Sequence, residues 1–238
     1  MSDRVLAVAP AYNEEGKIAR TFEDLPRDVV TTALLVDDGS TDGTADEARA
    51  VGVEVISHPH NRGVGAALRT GVDFARHNGF DIVVIMSGSG KTRAAEIERL
   101  VAPVAAGECD LAKGSRYLPG GACGNMPLQR RLGTRGYSFV FSCLARRWIT
   151  DASNGFRAFR TALFDDQRLN LWQDWLDGYG LEPYLLFQVV RLGYRLLEVP
   201  VTIEYPVVPG KPYTKMRMLT DWWRVTSPAL LLALGLRR

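Results

Sequence analysis

Four short runs of apolar, β-forming residues, each followed by a stretch with helical spacing, fill the front of this 238-residue chain and leave it few ways to fold. The runs are "RVLAVAP", "TALLVDD", "VEVISH" and "DIVVIM". After them come "NEEGKIARTFEDL", with Asn13 as an N-cap and acids in its first turn, and "GSTDGTADEARAVG", closed by Gly52. "NRGVGAALRTGVDFARHNG", closed by Gly79, and "RAAEIERLVAPVAAG" complete the series. Strands that alternate with helices imply a parallel sheet with right-handed crossovers. The expected class is α/β, a mostly parallel central sheet flanked by helices. Ligands of such sheets bind beyond the carboxyl ends of the strands. Pro10, Asp37, Asp38, Ser87 and Ser89 all fall there.

Beyond Gly107 the rhythm changes. "DLAKGSRYLPGGACGNMP" reads as a short strand running into a glycine-rich loop, and a helix is expected from about Leu128 to Arg147. "DASNGFRAFR" is turn-rich, "EPYLLFQVVRLG" helical and "YRLLEVPVTIEYP" extended. The C-terminal "KMRMLTDWWRVTSPALLLALGLRR" is a basic, amphipathic helical stretch with a break expected near Pro228. No repeat, low-complexity tract or linker divides the chain, so one domain over residues 1–238 is expected.

Composition narrows the function classes. A formal charge of +2 offers no basic excess to neutralise a run of phosphates, which argues against a nucleic-acid partner. Cys109, Cys123 and Cys143 are too far apart to chelate and read as thiols in a reducing compartment. His58, His60 and His77 lack partners at zinc spacing. No leader is visible and no apolar run reaches the ~20 residues that span a bilayer. A cytoplasmic protein is expected.

"IVVIMSGSGKT" carries the closing letters of a P-loop. A P-loop needs a glycine five positions before the second one, and that position here is Ile85, inside the strand. The loop is too short to cradle a β-phosphate, and an ATPase is not expected.

Taken together, "VAPAYNEEGKI", "LLVDDGSTDGTADEA", "HNRGVGAALRTGVDFA", "KGSRYLPGG", "TDASNGFRAFR", "LEPYLLFQVVRLGYRLLEVPV" and "YTKM" resemble, in order, the family 2 glycosyltransferases, and among them the polyprenyl-phosphate sugar synthases. The resemblance covers roughly residues 4 to 217. It implies a GT-A (Rossmann-like) fold and inverting transfer of a sugar from a nucleoside diphosphate donor to a polyprenyl phosphate or a small molecule. Residues about 1–115 would bind the nucleotide sugar and about 116–238 the acceptor. Pro10, Tyr12, Glu14, Asp37, Asp38, Arg62 and Gly65 would line the donor site. As plain chemistry, Tyr12 can stack on a base and Glu14 can accept from its N–H groups, while Asp38-Gly39-Ser40 also reads as a capped turn.

One segment departs from the family. "MSGSGKT" stands where the family carries D-x-D, whose acids hold a divalent metal on the donor diphosphate. Ser87 and Ser89 replace both, and hydroxyls are weak ligands for a hard cation. No cofactor is expected, and a Mg2+ or Mn2+ ion would need other ligands. Lys91, a backbone nest at Gly88-Ser89-Gly90 at the start of the following helix, and Arg116 of "GSRY" are the groups expected to stabilise the leaving diphosphate instead, with Ser87 and Ser89 also counted in the donor site. A catalytically silent nucleotide-sugar-binding homologue is the competing reading.

On the acceptor side, Asp151 is the candidate proton acceptor, although an anionic acceptor needs none. Arg157, Asn154, Glu182 and Lys215 are candidate acceptor contacts; for Asp151 and Glu182 capping roles compete. Lys211 and Lys215 stand near "VPGKPYTKM", where the family shows an arginine. The tail, with Trp222 and Trp223 among cations, would either lie on a membrane surface or close the core or a dimer contact. Base, sugar, acceptor and oligomeric state stay open.

Overall fold

The computed structural model of the chain describes residues 3–205 and 220–237. Strands β1 (Val5–Ala11), β2 (Thr32–Asp37), β3 (Glu54–Ser57) and β4 (Ile82–Ile85) alternate with helices α1 (Ile18–Phe22), α2 (Thr44–Ala50) and α3 (Val64–His77), and α4 (Ile97–Ala105) follows β4. Then come β5 (Leu111–Ser115), β6 (Ala122–Gly124), α5 (Leu128–Ala145), β7 (Arg157–Arg160), α6 (Leu181–Arg191), β8 (Leu196–Pro200), β9 (Thr202–Glu204) and α7 (Thr220–Ala233). Seven strands form one sheet in the order β3-β2-β1-β4-β7-β5-β8, and β6 pairs with β9 in a separate two-stranded ribbon.

The runs are apolar throughout because both sheet faces are covered. Leu6, Val8, Leu34, Val36, Val83 and Ile85 point to the layer of α3, α5, α6 and α7. Their neighbours Val5, Ala7, Ala33, Leu35, Ile82 and Val84 point to the layer of α1, α2 and α4. Successive strand residues alternate faces, so each run feeds two cores at once.

Three expectations are corrected. The sheet is mostly parallel, as expected, but "RAFR", inside the stretch read as turns, forms β7 and runs antiparallel between β4 and β5. Four residues with charge at both ends carry too short a period-2 signal, and β7 exists because it fills a gap between two buried strands. Helix α1 begins at Ile18, and Asn13 does not cap it; Asn13 has φ 51° and its side-chain oxygen accepts from the Thr41 backbone at 2.9 Å. The break near Pro228 does not occur. That ring lies inside α7 and packs on Gly180 at the start of α6. Ala229 and Leu232 of α7 are buried in the core, so much of the helix's apolar side closes the fold.

Candidate active site

At the carboxyl end of β2, Asp38 is buried and saturated. Its Oδ1 takes His58 Nδ1 at 2.8 Å and the Arg62 backbone N–H at 2.9 Å, and its Oδ2 takes the Gly63 N–H at 2.8 Å. Asp37 accepts from the Ser40 N–H at 2.9 Å. These acids hold loops, as the turn reading of Asp38-Gly39-Ser40 expects. Arg62 contributes its backbone to that knot and leaves its side chain exposed. Gly65 serves packing: a Cβ there would lie 1.9 Å from the Leu176 carbonyl. The Asp177 carbonyl caps α3 by accepting from the Gly65 and Ala66 N–H groups, so that helix end does not offer those donors to a phosphate.

Next to it, Pro10 is the penultimate residue of β1, and Gly88 passes so close that a Cβ would meet the Pro10 carbonyl at 2.5 Å. Tyr12 is exposed at this edge, and Glu14 pairs with Lys17 across the following turn. The strand ends thus bring Pro10 together with the Ser87–Lys91 segment, as expected.

The Ser87 and Ser89 hydroxyls are hydrogen-bonded to each other at 2.7 Å. No group of three His, Cys, Asp or Glu residues placed to hold a metal exists among the described residues. Two neutral hydroxyls bonded to one another and followed by an ammonium do not fit a hard divalent cation. The nest expected here is not formed either. The Gly90 N–H donates to Thr21 Oγ1 at 3.0 Å, and Thr92 pairs with Ile203 before any helix begins. Lys91 itself is tied through its carbonyl, which accepts from the Glu204 N–H at 2.8 Å. Its ammonium lies 6.0 Å from the centroid of the Tyr205 ring.

Arg116 and Asp151 meet, but not as expected. Both are buried, and Arg116 Nε and Nη2 each lie 2.7 Å from an Asp151 oxygen. Asp151 also accepts from Ser153 and from the Arg116 backbone. Burial alone would raise the Asp151 pKa, yet the bond and charge of Arg116 outweigh it and hold the carboxyl below its usual range. Burial would lower Arg116, and the Asp151 bond reverses that too. A fully enclosed, fully bonded carboxylate cannot collect an acceptor's proton, so Asp151 is the structural partner of Arg116. Arg116 in turn is no open phosphate cation: Nη1 donates to the Tyr205 hydroxyl at 2.6 Å and Nη2 also to Ser153.

The acceptor candidates are similarly engaged. Arg157 is 2% exposed and donates to the carbonyls of Asn154, Gly155 and Glu182 and to Glu182 Oε1. Asn154 is buried, with its side chain on the Gly114 carbonyl and the Phe156 N–H. Glu182, in the first turn of α6, pairs with Arg157 at 3.1 Å beside a cavity of about 10 Å³. Lys113 on β5 is enclosed next to Arg157, and burial followed by the Arg157 charge brings its pKa down to about 7. Lys211 and Lys215 lie outside the described residues.

Residues the sequence did not flag stand around Tyr205. The Arg130 guanidinium lies 5.1 Å from its ring centroid, and Arg135 lies 4.9 Å from that of Tyr117. Tyr117 Oη bonds Thr134 at 2.5 Å. Lys91, Arg130 and Arg135 thereby converge from β4's end and α5 on two tyrosines, with Arg116 behind them. Only the absence of acids between Asp110 and Asp151 hinted at this.

Comparison with known proteins decides the family. Residues 7–168 match the model of glycosyl transferase family 2. The chain belongs to that family. It is 33% identical over 206 residues to an undecaprenyl-phosphate mannosyltransferase of Micrococcus luteus, covering 84% of this chain and 83% of that one. A polyprenol monophosphomannose synthase of Mycolicibacterium smegmatis is 32% identical over 211 residues, covering 84% and 77%. Among solved structures, glucosyl-3-phosphoglycerate synthase from Mycobacterium tuberculosis, in complex with Mn2+, UDP-glucose and phosphoglyceric acid, superposes with a TM-score of 0.72 at 21% identity, over 99% of this chain and 81% of that one. That likeness shows the GT-A fold. The protein is a family 2 glycosyltransferase acting on a nucleotide sugar.

Proposed function

We propose that this transferase moves a sugar, with inversion, from a nucleoside diphosphate to a polyprenyl phosphate, and that it does so without a divalent metal. The observation that carries the reading is the end of β4: two hydroxyls bonded to each other where a metal would need acids, followed by Lys91. Base and ribose would lie against Pro10, Tyr12 and Glu14. An acceptor phosphate oxygen forms the new bond to the anomeric carbon from the face opposite the diphosphate. The bond from that carbon to the β-phosphate oxygen breaks, and the nucleoside diphosphate leaves with its electron pair. Lys91 and Arg130, held about Tyr205, stabilise the charge that builds there. An acceptor that is already anionic loses no proton, which suits a site whose candidate base Asp151, like the acidic acceptor candidate Glu182, is bonded to an arginine. The names of the Micrococcus and Mycolicibacterium relatives support that acceptor class.

Calorimetry with GDP, UDP and dTDP, each with magnesium or manganese and then with chelator, tests the reading. One nucleotide should bind with an affinity that chelator leaves unchanged. Lys91→Ala should weaken it about 10- to 70-fold, the loss of one charge-assisted contact of roughly 1.5–2.5 kcal/mol. Binding that collapses on chelation would overturn the metal-free account. Tight binding with no transfer to undecaprenyl phosphate would favour the silent homologue.

A further inference from the structure

Tyr205 stands just past β9 and is 3% exposed. Three separate parts of the chain fix its place. Its N–H donates to the Gly124 carbonyl of β6 at 3.0 Å. Its hydroxyl accepts from Arg116 Nη1 at 2.6 Å, and Arg116 is itself immobilised by its fork on the buried Asp151. One residue earlier, the Glu204 N–H holds the Lys91 carbonyl at 2.8 Å. A buried tyrosine needs a partner for its hydroxyl, and Arg116 supplies it. Core packing does not account for what surrounds the ring. The Lys91 ammonium lies 6.0 Å from its centroid and the Arg130 guanidinium 5.1 Å, and both side chains are half-buried. Two cations in one partly desolvated neighbourhood repel each other. The negative face of an aromatic ring offsets part of that cost. Glu204 does less to offset it, because its carboxylate is held by Arg20 and Arg93. From Leu111 to Thr150, the stretch that contains α5 and Arg130, the chain has no Asp or Glu at all.

We infer that Tyr205 is a positioning residue for the transfer: its ring holds Lys91 and Arg130 as a pair for one diphosphate, so that two fixed cations supply the double positive charge a divalent ion would bring. The inference rests on the metal-free transfer proposed for this site and adds the side chain that assembles it. It also gives the buried Arg116–Asp151 pair a task. That pair is enclosed and bonded to the protein, yet through the Tyr205 hydroxyl it sets where the ring lies. The ring matters more than its hydroxyl, because Arg116 keeps Asp151 and Ser153 when the hydroxyl is lost, whereas the two cations lose the surface they share. Preorganised charge of this kind needs no rearrangement as the diphosphate leaves.

Calorimetry of the full chain with GDP, UDP and dTDP, chelator present, tests it on variants at position 205. Tyr205→Phe keeps the ring and should weaken whichever of the three binds by about threefold at most. Tyr205→Leu removes the ring and should weaken it about tenfold. In a Lys91→Ala/Arg130→Ala background the same Tyr205→Leu change should cost less than about twofold, because the ring then has nothing to hold. A tyrosine that only fills the core would cost the same in both backgrounds. If Tyr205→Leu does not fold, a ring-fluorinated phenylalanine compared with Tyr205→Phe keeps the shape and weakens only the ring's negative face. Its loss should likewise depend on the two cations. Equal losses in both backgrounds, Phe no better than Leu, or fluorination without effect would overturn the proposal. If Lys91→Ala weakens binding and the ring variants do not, the role of Tyr205 falls and the metal-free transfer stands. If Lys91→Ala is without effect, or none of the three nucleotides binds the parent protein, both fall.

Discussion

The ends of β2 and β4 are neighbours across β1, yet they are built on opposite principles. At the end of β2, the buried Asp38 gathers three donors, His58, Arg62 and Gly63, along the loop that joins β3 to α3. At the end of β4, Ser87 and Ser89 mainly hold each other and are half-exposed. The first end carries the fold of the crevice; the second is lightly tied and so is free to change its chemistry. A strand end whose side chains mainly hold one another can change its residues without disturbing the backbone. It cannot do so where an acid organises the backbone.

The largest effect should come from breaking the heavily tied end. Asp38→Ala strands one nitrogen of His58 in a buried place and the Arg62 and Gly63 N–H groups in partly buried ones, at about 1–3 kcal/mol for each unmet group where water cannot enter. A loss of roughly 3 kcal/mol in urea unfolding is expected, together with loss of nucleotide binding. A variant within about 1 kcal/mol of wild type would show that the two ends do not differ in kind.

The same contrast explains what the sequence could reveal. The four strand runs and their terminal residues were legible because burial on both faces writes an unbroken apolar signal. The pairing of Arg116 with Asp151 was not, because 35 residues separate them and only the return of the chain beside β5 brings them together. Asp151 looked like a base for that reason: a carboxylate in a turn shows its charge in sequence but not its partner. Likewise Tyr205 became part of the site only through β9, whose Glu204 meets Lys91 across the ends of two strands. β7 was invisible because four residues hold too little pattern, although its Arg157 sits opposite Lys113 in mid-sheet.

Lys113 falls between the two extremes. It is fully enclosed, as Asp38 is, but its ammonium donates to the neutral Asn154 carbonyl and faces Arg157. Its folded pKa of about 7 lies below the ordinary 10.5. Between those values the unfolded chain holds a proton that the folded chain has released, so raising the pH favours folding. The stability gained should approach about 1.4 kcal/mol per pH unit in that window and level off below pH 7. Lys113→Met removes the titrating group while Arg157 still donates to the Asn154 carbonyl at 3.0 Å. Urea midpoints of both proteins from pH 6.5 to 9.5 should therefore converge as the pH rises, the variant being ahead at the acid end. Parallel curves would mean the lysine keeps its proton throughout.

The smallest effect belongs to Ser87→Ala. The change removes one hydroxyl-to-hydroxyl bond and a long contact of 3.4 Å from the Ser89 N–H, in a half-exposed place where water can take over. The Ser87 N–H keeps Thr92 Oγ1 at 3.3 Å, and the close passage of Gly88 under Pro10 is untouched. Stability should fall by about 0.5 kcal/mol, and the proposed metal-free transfer requires nucleotide affinity to stay within about twofold. The comparison sharpens if both hold, since the same strand-end position would then tolerate what Asp38 does not. If affinity instead drops tenfold or more only when magnesium is present, the hydroxyl ligates a cation. The chemistry of the lightly tied end would then be bound to its side chains as firmly as the fold of the other end is bound to Asp38.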